Sequence, residues 1–222
     1  MLLGHYAVAL AAKSYAPRTS LATLVLAAQL LDLMWPVFIL LGWEHVAIVP
    51  GLMAASPFDF LQYPISHSLL TTVLWSVLLG GGYYVFRRYG RGAVVIVVAV
   101  VSHWLLDALM HRPDLPLWPG SAIKIGLGFW NSIAATVIIE GTLFIIGIII
   151  YIRATRPRDR IGTLALAAML TLLLLIFVSG FFAAPPPGEH VVAWAGLGLW
   201  LFVPWAAWID RHREASRRHG MG

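Results

Sequence analysis

Six long, predominantly apolar stretches constrain this chain more than any other feature. A helix needs about 20 residues to cross a bilayer hydrocarbon core of about 30 Å. The stretches cover residues 20–43, 64–86, 92–111, 129–152, 161–183 and 189–209. With 60% of the residues hydrophobic and only 11% charged, they exclude a soluble domain. The sequence predicts an all-α polytopic transmembrane bundle of about six spanning helices, forming a single integral membrane domain over residues 1–222.

The first eighteen residues precede these stretches and need a separate interpretation. Residues 2–12 are apolar but cover only about half the length of a span. His5 interrupts them and Lys13 follows, a pattern unlike a signal peptide. We expect a short re-entrant or interfacial helix whose start dips into the bundle and carries His5 with it. The predicted parts are this segment (1–18), helices bearing a candidate site (20–152), scaffold helices (161–209) and a basic cytoplasmic tail (210–222).

The positive charges indicate an orientation. Of the 15 Lys and Arg residues, all but Arg112 and Lys124 fall on one side if six spans alternate. By the positive-inside rule, both termini are cytoplasmic in a bacterial-type inner membrane, and residues 44–63, 112–128 and 184–188 face the exterior. Short basic clusters between apolar stretches suit loops at an anionic membrane surface. We therefore expect membrane lipids as partners, with no nucleic acid, and leave the oligomeric state open.

The third stretch carries His103, Asp107 and His111 inside otherwise apolar sequence. Spacings of four residues place the three side chains on one helix face. Each ionisable group in hydrocarbon costs at least ~2.5 kcal/mol unless it is compensated. A bound cation could compensate all three, and interhelical hydrogen bonding is the alternative. Because the chain has no cysteine, any metal must be held by histidine, carboxylate and water.

Polar residues in other stretches reach similar depths. Asp32 and His103 both lie roughly 16–18 Å from the predicted cytoplasmic ends of their helices. His67 lies at the external end of its stretch, at the level of His111. Glu140 is enclosed by apolar residues and could bind metal, act as a general base, or stay protonated against a neighbouring helix.

Several of these residues also carry a family resemblance. The motifs in chain order are Gly4-His5, Asp32, Ser66-His67-Ser68 and His103-Trp104-Leu105-Leu106-Asp107. They resemble the membrane-bound metal-dependent hydrolases whose founding bacterial member is regulated by the LexA repressor. That family in turn is similar to zinc-dependent phospholipase C and the fungal zinc nucleases, which cleave phosphoesters. The resemblance covers about residues 1–120.

The resemblance implies a ligand set and a number of ions. Carried over residue by residue, the implied metal ligands are His5, Asp32, His67, His103 and Asp107. Thr136 stands four residues before Glu140, where the phospholipase group has a histidine. The implied cluster therefore contains one or two ions rather than three.

The leading functional expectation is a membrane-embedded hydrolase. It would cleave a phosphoester or other ester of a small amphipathic, lipid-like substrate with metal-activated water, in the outer half of the bilayer. The cofactor would be one or two Zn²⁺ ions, with other divalent metals left open. Expected ligands are His5, Asp32, His67, His103, Asp107 and His111, and Asp32 or Glu140 would accept the proton. Two alternatives stay open: a transporter of metal ions or small solutes, and a non-catalytic subunit of a membrane complex.

Overall fold

The computed structural model describes residues 1–216, and their architecture is a helical bundle. Its helices are α1 (Leu3–Tyr15), α2 (Leu21–Ala28), α3 (Leu30–Leu40), α4 (Leu69–Arg87), α5 (Gly90–Met110), α6 (Ile133–Ala154), α7 (Arg160–Ser179), α8 (Glu189–Leu197) and α9 (Phe202–Arg211). The all-α class is confirmed. Residues 217–222 of the predicted tail lie outside the described residues.

The predicted number of spans agrees with the helices. α4, α5, α6 and α7 are each long and apolar enough to cross a membrane, as is Glu189–Arg211, in which a 3₁₀ turn at Gly198–Leu201 joins α8 to α9. α2 and α3 together form the sixth candidate, which is broken. The exposed side chains of these candidate spans are largely apolar, as contact with lipid requires.

The first span breaks at Gln29. A proline inside a helix removes a backbone donor, so the sequence predicts a kink at Pro36. Instead Pro36 lies within α3, and α2 meets α3 at 57° around Gln29. The break frees the carbonyl of Ala28 from helical bonding. It also places Asp32 in the first turn of α3, where the helix dipole favours a carboxylate.

The second span begins later than expected. Pro64 suits a first helical turn, but α4 begins at Leu69, where the Ser68 hydroxyl caps it by accepting from the Thr71 amide. The preceding residues form a turn instead, because the amides of Ile65 and Ser66 donate to a carboxylate in another loop. This turn holds His67 outside the helix.

Helix α1 lies inside the bundle. It packs against α2, α5 and α6, and most of its side chains are buried. Its closest approach to α6 is at Gly147, where an added Cβ would lie 2.7 Å from both the Cα and the carbonyl oxygen of Ala7. Glycine at this position lets the two backbones meet. The contact fixes the position of α1 along α6 and therefore the depth of His5 within the bundle.

We expect Gly147→Ala to destabilise the protein by about 1–3 kcal/mol, because the methyl group would overlap the α1 backbone. The matched control is Gly141→Ala in the same helix, where an added Cβ meets nothing within 4 Å. That control should be neutral or stabilising, by up to about 1 kcal/mol of helix propensity. Thermal unfolding in detergent measures both, and equal midpoints for the two variants would contradict the close α1–α6 contact.

Three short antiparallel strand pairs lie between or after the helices of the described residues, and the sequence did not reveal them. Strands this short show too little alternation to be recognised. The pairs are β1 (His45–Ile48) with β2 (Phe58–Gln62), β3 (Leu115–Pro116) with β4 (Lys124–Ile125), and β5 (Thr155–Pro157) with β6 (Arg213–Ala215). The first two pairs lie in the connections predicted to face the exterior, and β2 carries aromatic side chains to the candidate site.

Candidate metal centre

His103 is the most constrained residue of the centre. It is fully buried, and its Nδ1 lies 2.7 Å from the carbonyl oxygen of Ala28, which the break before α3 has freed. Since a carbonyl only accepts, Nδ1 must be the donor, and in the neutral ring Nε2 then presents a lone pair. Nε2 lies 3.1 Å from Asp107 Oδ2 and 3.6 Å from Asp32 Oδ1, and has no hydrogen-bond partner within residues 1–216. A lone pair facing two carboxylates calls for a cation or a proton between them.

His67 is oriented in the same way by the turn that carries it. The Ser66 hydroxyl donates to Glu44 Oε2 at 2.6 Å, so its oxygen must accept the 2.7 Å bond from His67 Nδ1. In the neutral ring, Nε2 of His67 then also presents a lone pair. It lies 3.5 Å from Asp32 Oδ1 and 3.7 Å from Asp107 Oδ2. Two imidazole lone pairs thus converge on the same two carboxylates.

Glu44 is the residue of this site that the sequence reasoning missed. It is fully buried, and its Oε1 accepts from the amides of Ile65 and Ser66 at 2.7 and 2.8 Å. It lies directly after Trp43 at the end of a predicted span, where a solvated loop carboxylate is the ordinary expectation. The one hint in the sequence is the adjacent Ser66 and His67. A serine that accepts a hydrogen bond from a histidine ring must donate its own proton elsewhere, and a buried carboxylate is a suitable acceptor.

The spacing of these atoms suits a small cation. The four distances that join the imidazole nitrogens of His67 and His103 to oxygens of Asp32 and Asp107 are 3.1–3.7 Å. A tetrahedral ion with bonds of about 2.1 Å has ligands about 3.4 Å apart. The ligand atoms of Asp32, His67 and His103 also lie mutually within 4.8 Å. These residues could hold a divalent metal with little movement.

A second triad shares His103 with the first triad, which is Asp32, His67 and His103. His5, His103 and Asp107 also bring ligand atoms within 4.8 Å, with His5 Nε2 3.1 Å from Asp107 Oδ1. The His5 and His103 rings stack at 3.5 Å between centroids. The amino group of Met1 donates to Asp107 Oδ1 at 2.6 Å and lies 3.3 Å from His5 Nε2. Asp107 thus directs Oδ2 to His67 and His103, and Oδ1 to His5 and the positively charged Met1 amino group.

Glu140 meets the start of α1. Its Oε2 accepts from the amides of Leu2 and Leu3 at 2.9 and 2.7 Å, at the end of the helix where the dipole favours negative charge. Glu140 also lines the cavity described below. The contacts of Oε2 position α1, and its expected role in proton transfer stays a prediction.

His111 lies apart from both triads of the described structure. Its Nδ1 is 3.0 Å from Asp114 Oδ1, which also accepts from the Tyr63 hydroxyl at 2.8 Å. Burial raises the pKa of Tyr63, and the Asp114 carboxylate raises it further, so the phenol remains a donor. The His111 ring packs against Trp130 at 4.4 Å between centroids. His111 lies on the cavity wall, and its role as a ligand stays a prediction.

A cavity of about 550 Å³ opens onto the centre. Its polar wall includes Asp32, His67, Asp107 and Glu140, and its remaining lining is largely apolar. The Asp32 side chain is 23% exposed, whereas those of His67, His103 and Asp107 are at most 4% exposed. Asp32 is therefore the member of the cluster that a bound molecule or water reaches most readily.

The bundle and its enclosed cluster define an integral membrane protein with a buried imidazole–carboxylate centre. A family model described as the YdjM inner membrane protein matches residues 1–184, so the chain belongs to that family and is an inner-membrane protein. No curated protein and no solved structure matches the chain. The family description places the protein in the inner membrane and leaves the chemistry of the centre to be inferred from its residues.

Proposed function

We propose that this protein is a membrane-embedded metal-dependent hydrolase that cleaves a phosphoester or other ester of an amphipathic substrate. The observation that carries the proposal is the convergence of the His67 and His103 Nε2 lone pairs on the carboxylates of Asp32 and Asp107. The Ala28 carbonyl and the Glu44–Ser66 pair each hold an imidazole with its lone pair inward.

The donor set favours zinc. Imidazole and carboxylate suit Zn²⁺, and the helices supply no thiolate. His67, His103, Asp107 and Asp32 would hold one ion, whose coordination would expand to five when water binds. A second ion would need His5, the second oxygen of Asp107 and displacement of the Met1 amino group that contacts both. When bound, zinc supplies a Lewis acid that polarises the ester and lowers the pKa of water towards ~7.

The chain's own residues would carry the proton. In hydrolysis, the water oxygen bonds to phosphorus or to the acyl carbon, the bond to the leaving alcohol oxygen breaks, and a proton passes from the water to the leaving oxygen. Asp32 is best placed to accept that proton through the oxygen that does not bind the ion, because it is the most exposed carboxylate of the cluster and lines the cavity. Glu140 is the second candidate, since it also lines the cavity, and its Oε2 is engaged by the amides of Leu2 and Leu3.

The predicted orientation would place this centre in the outer half of the bilayer. The β1–β2 hairpin and the loop that bears Asp114 lie on the side expected to face the exterior, and both border the cavity or the residues that line it. An amphipathic substrate could then reach the centre from the external leaflet. Metal-ion transport is less favoured, since Val94–Val101 of α5 is entirely apolar and offers no polar route beyond His103.

Turnover of lipid and soluble phosphoesters with and without chelator tests the proposed function. We expect hydrolysis of at least one amphipathic ester, its loss on chelation, and its return when Zn²⁺ is restored. Hydrolysis that persists in chelator would contradict metal dependence. Tightly bound metal without any hydrolysis across the panel would favour transport, and absence of both would favour a non-catalytic subunit.

We expect Glu44→Gln to weaken metal binding by about 10–100-fold, the usual range for residues that orient a ligand. The new amide would donate to Ser66, whose own proton would then turn towards His67 Nδ1 and shift the ring proton to Nε2. Titration with Zn²⁺ in detergent measures the affinity. Glu189→Gln is the control, since Glu189 contacts only His45 and Val46 among the described residues and should bind metal as the wild type does. Equal affinities for the two variants would show that Glu44 does not orient the site.

A further inference from the structure

A second, apolar groove continues from the cavity at the metal centre. It measures about 310 Å³ and lies between α3 and α8. Both spaces are lined by Asp32, Trp35, Phe58 and Pro186, so they meet beside the most exposed carboxylate of the cluster. The groove therefore runs from the reacting centre to the outer surface of two membrane helices.

The walls of the groove are hydrocarbon-like. Apart from Asp32, its lining residues within the described chain carry no ionisable side chain: Trp35, Pro36, Phe58, Pro186, Val191, Val192, Ala195, Gly196 and Leu199. Along α8, Val191 and Gly196 lie about 7.5 Å apart, and Leu199 continues the lining into the 3₁₀ turn that follows. Val191 is 48% exposed and Ala195 is exposed, so the groove is open to the surroundings of the bundle at these two positions.

Two contacts hold the walls of the groove together. An added Cβ at Gly196 would lie 2.7 Å from Pro36 Cγ, so glycine lets α8 approach α3 closely at the groove floor. The Trp200 indole donates to the carbonyl oxygen of Leu33 at 3.0 Å, which ties the turn after α8 to α3. The groove is thus a fixed feature between two packed elements.

We propose that this groove binds one hydrocarbon chain of the substrate, which enters sideways from the bilayer while its ester lies in the larger cavity. This inference rests on the proposed function and narrows the substrate to a lipid with a long acyl or prenyl chain. The groove is continuous with the cavity at Asp32, as a site for part of the substrate must be. A groove that served as an interface with a second copy of the protein would not need to reach Asp32. A hydrocarbon chain gains little free energy when it moves from lipid into an equally apolar groove. The groove therefore acts mainly by aligning the ester with the centre.

The first test fills the groove. Ala195→Trp places a large side chain at an exposed lining position, and Val191→Trp does so at its open edge. We expect either variant to lower kcat/KM for a dioleoyl phosphoester in mixed micelles by at least about tenfold, as small volume changes in apolar pockets do. Turnover of the dihexanoyl analogue should stay within twofold of wild type. Leu201→Trp is the control, because Leu201 is 70% exposed and does not line the groove. Equal loss on both substrates, or none on either, would overturn the proposal.

A second test does not depend on hydrolysis. A phosphatidylcholine with a diazirine at the middle of one acyl chain, diluted into unlabelled phosphatidylcholine vesicles that hold the whole protein, is photolysed and its adducts are mapped. We expect adducts concentrated on residues 191–199 and lost in Ala195→Trp. Adducts spread evenly over exposed faces such as that of α4 would show bulk lipid contact only and would overturn the proposal. Groove adducts without turnover of any ester would refute the hydrolase while leaving the chain site standing.

Discussion

Asp107→Asn is expected to lower metal affinity by about 100-fold or more, since removal of even an outer partner of a ligand costs 10–100-fold. The substitution keeps the shape of the side chain and removes its charge. One Asp107 oxygen lies 3.1 Å from His103 Nε2 and the other 3.1 Å from His5 Nε2, so the change affects both triads at once. Elemental analysis of protein purified in detergent should find the variant nearly free of zinc.

The matched control for this variant is Asp114→Asn. Asp114 is also buried and bonded to a histidine near the end of the same helix, but it contacts His111 and Tyr63 rather than the cluster. We expect the control to keep the metal content of the wild type, because His111 lies apart from both triads. A loss of metal in this variant would instead place His111 among the ligands. Full metal content in well-folded Asp107→Asn protein, judged by size-exclusion chromatography and thermal unfolding, would remove Asp107 from the ligand set.

Asp32→Asn is expected to lower kcat by about 10²–10⁴-fold, the range for loss of a general acid–base residue. The amide cannot accept the proton from water, although its oxygen could still face His67 and His103. The initial rate on the best ester of the panel, measured at saturating Zn²⁺, separates this loss from weaker metal binding. A change in the acidic limb of the pH–rate profile would distinguish proton transfer from a purely structural effect.

Glu140→Gln provides the comparison for Asp32. If Asp32 accepts the proton, Glu140→Gln should keep most of the turnover, because its contacts with the α1 amides need only a carbonyl oxygen. The reverse result, with near-normal rates in Asp32→Asn and a large loss in Glu140→Gln, would move the role of base to Glu140. Normal rates in both variants would contradict proton transfer by either carboxylate.

Much of the fold follows from the length of the apolar stretches, because lipid permits few other arrangements of the backbone. The broken first span could not be predicted in the same way. Pro36 is the visible helix breaker, yet the bend lies at Gln29, where packing against α5 and the bond from His103 to Ala28 decide the geometry. Such tertiary contacts leave no local pattern in the sequence.

The candidate site was predictable where polar residues stand out against hydrocarbon. His103 and Asp107 share a helix face, and Asp32 matches their depth, so their meeting could be expected from helix geometry. Glu44 could not be recognised, since a glutamate in a loop looks the same whether it is solvated or buried. The separate position of His111 could have been anticipated from Asp114, which lies three residues later and competes for the ring.

Anomalous diffraction at the zinc edge, from crystals of the protein purified with its bound metal, tests the central claim most directly. We expect a peak about 2.0–2.2 Å from Nε2 of His67 and of His103 and from oxygens of Asp32 and Asp107. Density for zinc only at surface residues, or no peak at the cluster in crystals grown with excess Zn²⁺, would contradict a metal centre at this position.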